Sequence, residues 1–167
     1  METHQFSFMI PSTADAVSDA RKRISEKLRR WGLPPESDEL GSIELATSEL
    51  ITNAVKHTGQ EPVLVDVHLS DGLVRIDVCD ASRELPQLSL PDAVDENGRG
   101  LLIVTALAAR YGVELTPTGK RCWAEFEVAP EALMTRMQPL VPLPAENHRQ
   151  STELQRDRRT SSPRGPR

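Results

Sequence analysis

Apolar residues recur along the chain with two different periods, and the switches between them divide it into elements. Phe6, Phe8 and Ile10 occupy every second position, which predicts a short strand over residues 5–10. The stretch PSTADAVSDARKRISEKLRRWGL then places Val17, Ala20, Ile24, Leu28 and Trp31 three or four apart, so a helix follows. Ser12 or Thr13 can cap it, and Gly32 with Pro34-Pro35 stops it. A second helix is expected from about Ser37 to Thr58, with Leu40, Ile43, Leu50 and Ala54 as its buried stripe. Period two returns in PVLVDVHLSDGLVRIDVCDAS, where Val63, Val65, Val67 and Leu69, then Val74, Ile76 and Val78, flank the tight turn Asp71-Gly72. Residues 83–97 are polar, with Pro86 and Pro91, and predict a long loop. RGLLIVTALAARYGV predicts a third helix with Leu101, Val104, Leu107, Ala108 and Tyr111 on one face. Two strands close the pattern, Val113 to Thr116 and Arg121 to Val128, the latter turning Cys122, Ala124, Phe126 and Val128 inward.

The order β-α-α-β-β-loop-α-β-β predicts an α+β fold, a two-layer sandwich of a mainly antiparallel sheet with helices on one face. The periodic pattern fades after Leu133, which sets a domain over 1–133 and a Pro/Arg-rich tail over 134–167. Residues 145–167 hold one leucine and no aromatics, too little apolar surface to offset ordering entropy, so disorder is expected there. Charge follows the same division. Up to Pro144, 14 Lys+Arg face 22 Asp+Glu; from Ala145 onward six arginines face three acids. A net-acidic body argues against a direct nucleic-acid binder. No apolar run reaches membrane-spanning length and no signal-peptide pattern opens the chain, so a cytoplasmic protein is expected. Cys79 and Cys122 sit in apolar strand-like runs and read as buried free thiols.

Three groups of polar residues interrupt this apolar plan. Asp80 shares its strand face with Val74, Ile76 and Val78, where a carboxylate needs donors; it could also simply cap the turn at Ala81-Ser82. Gly98 and Gly100 flank Arg99 where the third helix begins, a place where backbone N–H groups can meet phosphate, or a plain loop exit. Within ELATSELITNAVKHTG, Glu49, Asn53 and His57 fall four apart. Glu49 and Asn53 can hold a hydrated Mg²⁺ and orient a hydroxyl, or form a solvated stripe. Lys56 and His57 suit a helix C-terminus for dipole reasons alone. Lys120, in TGKRCW, reads as a basic residue of a hairpin turn or as one that reaches phosphate.

Taken in order, SELITNAVKHTG, LVRIDVCDASRELP, GRGLLIVTALAARYGV and GKRCWAEFEV resemble the ATP-binding domain shared by gyrase-type ATPases, Hsp90, sensor histidine kinases and MutL. More narrowly, the chain is similar to the anti-sigma-factor serine kinases and their stand-alone actinobacterial relatives, over about residues 5–130. The resemblance implies ATP and Mg²⁺ as cofactors. It implies that Glu49 polarises the incoming nucleophile, that Asn53 ligates Mg²⁺, and that Asp80 accepts from the adenine amino group. It implies that Gly98, Arg99, Gly100 and Leu101 cradle the phosphates with backbone N–H groups and that the loop 83–97 is the nucleotide lid. It further implies a serine/threonine kinase acting on an anti-sigma-factor antagonist, with a sigma factor as a second partner and a homodimer formed near the N-terminal strand. After Asp80 the chain reads DASRE where the wider family often has D-x-G-x-G, so a nucleotide-binding interaction module without phosphotransfer stands as the alternative.

Overall fold

Alternation at every second residue gives the protein a sheet with one apolar and one polar face. A computed structural model describes residues 3–85 and 96–129, the first four of the second range as backbone. Among them run β1 (His4–Ile10), α1 (Ala14–Arg30), α2 (Asp38–His57), β2 (Val63–Ser70), β3 (Leu73–Asp80), α3 (Glu96–Leu107), β4 (Arg110–Thr116) and β5 (Gly119–Glu127). The five strands form one sheet in the order β1-β2-β3-β5-β4, antiparallel at every pairing. This is the expected α+β architecture. The boundary at 133, the tail 134–167 and most of the expected lid loop lie outside the described residues.

Local chemistry explains the element ends. The Ser37 side chain accepts from the Leu40 backbone N–H and starts α2, while Lys56 and His57 complement its C-terminal dipole. Thr13 stands at the N-cap of α1 without a side-chain cap bond, and the neighbouring Ser12 hydroxyl donates to the Val55 carbonyl. Gly32, at φ 110, lets the chain reverse after α1. In the β2–β3 hairpin, Asp71 and Gly72 both take positive φ, 55 and 74, the pair that a two-residue turn of matching twist requires.

The core lies between the helices and one sheet face. Val63, Val65, Val67, Val74, Ile76, Val78 and Ala124 are fully buried there, against Ala20, Ile43, Ala46 and Ile51 of the helices. Two expectations change. The third helix ends at Leu107, not beyond Tyr111: the Ala109 N–H donates to the Glu125 carbonyl and the chain enters β4, with Tyr111 opposite Ala124. Aromatic Tyr111 and β-branched Val113 suit a pleated strand better than a helix end. The same helix begins at Glu96, so Gly98 and Gly100 lie within it and do not precede it.

Candidate functional site

The polar stripe of α2 faces α3 across a cleft. Glu49, Leu50, Thr52, Asn53, Lys56, Gly100, Leu101 and Val104 line it. Gly100 is what permits the approach, since a Cβ there would lie 2.5 Å from Glu49 Oε2. Glu49 and Asn53, one helical turn apart, thus turn a carboxylate and an amide to the same opening. His57 does not continue the row into the cleft; its Nδ1 lies 3.7 Å from Glu84 Oε2. Lys56 takes its place in the lining, a residue that its terminal position on α2 had explained without any site.

The expected phosphate cradle is altered by the early start of α3. Gly98 falls in the first turn, where N–H groups have no intrahelical acceptor, whereas Arg99, the fourth residue, is the first whose N–H faces a carbonyl one turn back. Gly100 and Leu101 are the fifth and sixth residues of the helix, where the N–H faces a carbonyl one turn back. For these two, the contribution to the cleft is therefore the missing side chain of Gly100 and the apolar wall of Leu101, not free N–H donors. The side chain of Arg99 lies outside the described residues.

At the end of β3, Asp80 is buried on the core face as its periodicity demands. Its Oδ1 accepts from the Ser82 N–H at 2.8 Å, the turn cap, and from Lys120 Nζ at 2.9 Å. Its Oδ2 is buried with no partner. Lys120 is thus not a solvated turn residue. It pairs across the strands with Asp80, and each side chain is 1% exposed. The alternation that turned Cys122, Ala124 and Phe126 inward also predicts this, read two residues further back. Gly119 allows the close approach: a Cβ there would stand 1.9 Å from the Asp80 carbonyl oxygen. The base of α2 is tied to the same strand end, where Thr58 Oγ1 accepts from the Ala81 N–H at 3.2 Å.

The donors fit a polyphosphate-bound Mg²⁺ better than a caged metal. One carboxylate and one amide oxygen are hard ligands of the kind Mg²⁺ uses together with phosphates and water. Among the described residues no group of three or more His, Cys, Asp or Glu could hold a metal by itself. The orphaned Oδ2 of Asp80 in turn fits the amino group of a base, because a buried acceptor without a donor is costly.

Among the described residues no helix is long and apolar enough to cross a membrane. No curated protein matches the chain. Among solved structures, the histidine kinase domain of a blue-light activated histidine kinase from Erythrobacter litoralis is similar at 20% identity and a TM-score of 0.45, covering 78% of this chain and 67% of that one. Residues 10–126, which run from the end of β1 into β5 and include α2, Asp80 and Lys120, match the family described as the histidine kinase-like ATPase domain. The chain belongs to that family of ATP-binding domains.

Proposed function

We propose that this ATPase-family domain is a regulatory protein serine/threonine kinase that uses Mg·ATP to phosphorylate a serine on an anti-sigma-factor antagonist, and that it also sequesters a sigma factor. The observation that supports it is the position of the Glu49 carboxylate, held beside Gly100 in the same cleft as Asn53 and Lys56. Glu49 accepts the proton of the serine hydroxyl as its oxygen bonds to the γ-phosphorus, and the bond from that phosphorus to the ADP oxygen breaks. Asn53 is the metal ligand and Lys56 faces the phosphates. Bound Mg²⁺ supplies charge neutralisation on the phosphate oxygens. Phosphoryl transfer depends mainly on such positioning and charge stabilisation. The product serine carries close to two negative charges, enough to break an interface with the kinase. Among the described residues β1 is an edge strand of the sheet, and pairing of that edge with a second copy would form the homodimer.

Incubation with labelled ATP and a serine-bearing antagonist tests the reading directly. Label on the antagonist serine is expected. Absence of transfer, together with intact binding of nucleotide and a sigma-like partner, replaces the kinase by an interaction module. The residues after Asp80, Ser82 and Glu84 where the wider family often has glycines, are what favours that second reading.

A further inference from the structure

Asp80 presents two oxygens that differ completely in their surroundings. Oδ1 is saturated, taking one donor from its own chain two residues on and one from the neighbouring strand. Oδ2 is buried and takes none. A carboxylate offers about two acceptor sites per oxygen, so a single donor would leave the group free to swing. The aspartate χ2 torsion is broad and two-fold, and the Ser82 N–H alone could be served by either oxygen. The ammonium of Lys120 removes that freedom, because it approaches from β5 and not from the turn. Lys120 itself has little freedom. It is 1% exposed, opposite Asp80 in the ladder, and Gly119 brings its backbone against the Asp80 carbonyl.

We propose that Lys120 is the positioning residue of a base subsite: its ammonium holds Asp80 by Oδ1 so that Oδ2 alone is left to accept the exocyclic amine of a 6-aminopurine nucleotide. This rests on the reading of the α2–α3 cleft as the nucleotide site. It adds a specificity device at the end of β3, beyond the residues that line the cleft itself. A 6-oxopurine would bring a carbonyl oxygen against Oδ2, and a purine without a 6-substituent would leave Oδ2 unpaired. A buried acceptor that loses its donor discriminates strongly.

Equilibrium binding of Mg·ATP and of Mg·purine riboside triphosphate, which lacks the 6-amino group, separates the possibilities in wild type and Lys120→Met. Wild type is expected to prefer ATP by roughly ten- to hundredfold, the range for a hydrogen bond to a charged group. Lys120→Met is expected to lose most of that preference while its affinity for purine riboside triphosphate stays within about threefold of wild type. Equal weakening of both nucleotides would mean that Lys120 only supports the fold, and the proposal would be wrong. Equal binding of both nucleotides by wild type also overturns it, while leaving the cleft intact as a phosphate site. Failure of wild type to bind either one overturns the nucleotide site itself. A measurement on wild type alone covers the case of a variant that does not fold. The Lys120 ammonium resonance, slow in exchange because it is buried, should shift with ATP and shift less with purine riboside triphosphate. No difference between the two refutes the positioning role.

Discussion

The two faces of the sheet carry charge in opposite ways. On the outer face, Arg75 donates to both oxygens of Asp77 and to Glu125, whose other oxygen takes Arg110 at 2.7 Å. Arg121 joins Glu114 and lies 3.9 Å from Asp77 Oδ1, and the Arg75 guanidinium sits 4.3 Å over the Trp123 ring. Among the described residues, no carboxylate oxygen of this network is buried without a partner. The inner face carries one pair, Asp80 with Lys120, deeper in the protein, and there one carboxylate oxygen is left orphaned. What the outer network leaves without a hydrogen-bond partner are donors, Arg121 Nε and Trp123 Nε1. What the core pair leaves without one is an acceptor, Asp80 Oδ2. Whole-residue burial would not separate the two, since Asp77 and Asp80 are each 6% exposed, but the Asp80 side chain is 1% exposed against 8% for Asp77.

Removing one partner on each face should expose that difference most strongly. Lys120→Met leaves a buried carboxylate without its counter-charge and is expected to destabilise by about 3–5 kcal/mol. Arg75→Met leaves Asp77 and Glu125 near Arg121 and Arg110, closer to solvent, and should cost about 1 kcal/mol per lost pair. The double variant Asp80→Asn/Lys120→Met should recover most of the larger loss, because no unpaired charge remains. Chemical denaturation of the four proteins checks this. Equal losses for the two single variants would erase the distinction between the faces.

The two close-approach glycines sharpen it next. Gly119→Ala drives a Cβ into the Asp80 backbone and should cost about 1–3 kcal/mol. Gly100→Ala meets only the end of the Glu49 side chain, which can move, and alanine favours the helix by up to about 1 kcal/mol. It should therefore leave stability within about 1 kcal/mol of wild type while weakening Mg·ATP binding. Thermal melts with and without Mg·ATP distinguish the two. A stability loss at Gly100 as large as at Gly119 would show that α3 packs there for structure alone.

The smallest effect concerns the thiols. Burial pushes the Cys122 thiol, on the inner face, up to about 11. Cys79, on the outer face, is also raised, first by burial and then by Asp66. A folded thiol that holds its proton more tightly than the unfolded one adds stability below the unfolded value of about 8.5, and that contribution is lost as pH rises through about 11. Between pH 9 and 11 the wild type should thus lose stability more steeply than Cys122→Ala, by up to about 2 kcal/mol. Parallel curves for the two proteins would remove burial of the Cys122 thiol as the cause.

Much of this was legible in the periodicities. Alternation placed Asp80 on the core face and the helical period placed Glu49 and Asn53 on one stripe, because both depend only on local geometry. The same alternation carried Lys120 inward, but TPTG before it signals a turn, and a lysine beside a turn is usually solvated. Tyr111 failed for a related reason. Its helical spacing from Leu107 is real, yet pairing with β5 claims the backbone after Leu107. The early start of α3 had no side-chain signal in Glu96 or Asn97 that outweighed the glycines. The Arg75–Glu125 pair required the β3–β5 register, which no single stretch of sequence contains.

The central claim is that α2 holds the chemistry and the β3 end holds the base. Single-turnover transfer at saturating ATP, measured beside equilibrium Mg·ATP binding, tests it on Glu49→Gln and Asp80→Asn. Glu49→Gln should lose transfer by roughly two orders of magnitude or more with affinity little changed, the range for a positioned general base. Asp80→Asn should weaken ATP binding by roughly tenfold or more while bound nucleotide still transfers at close to the wild-type rate. Loss of both properties in both variants, or transfer by Glu49→Gln at the wild-type rate, would contradict the division.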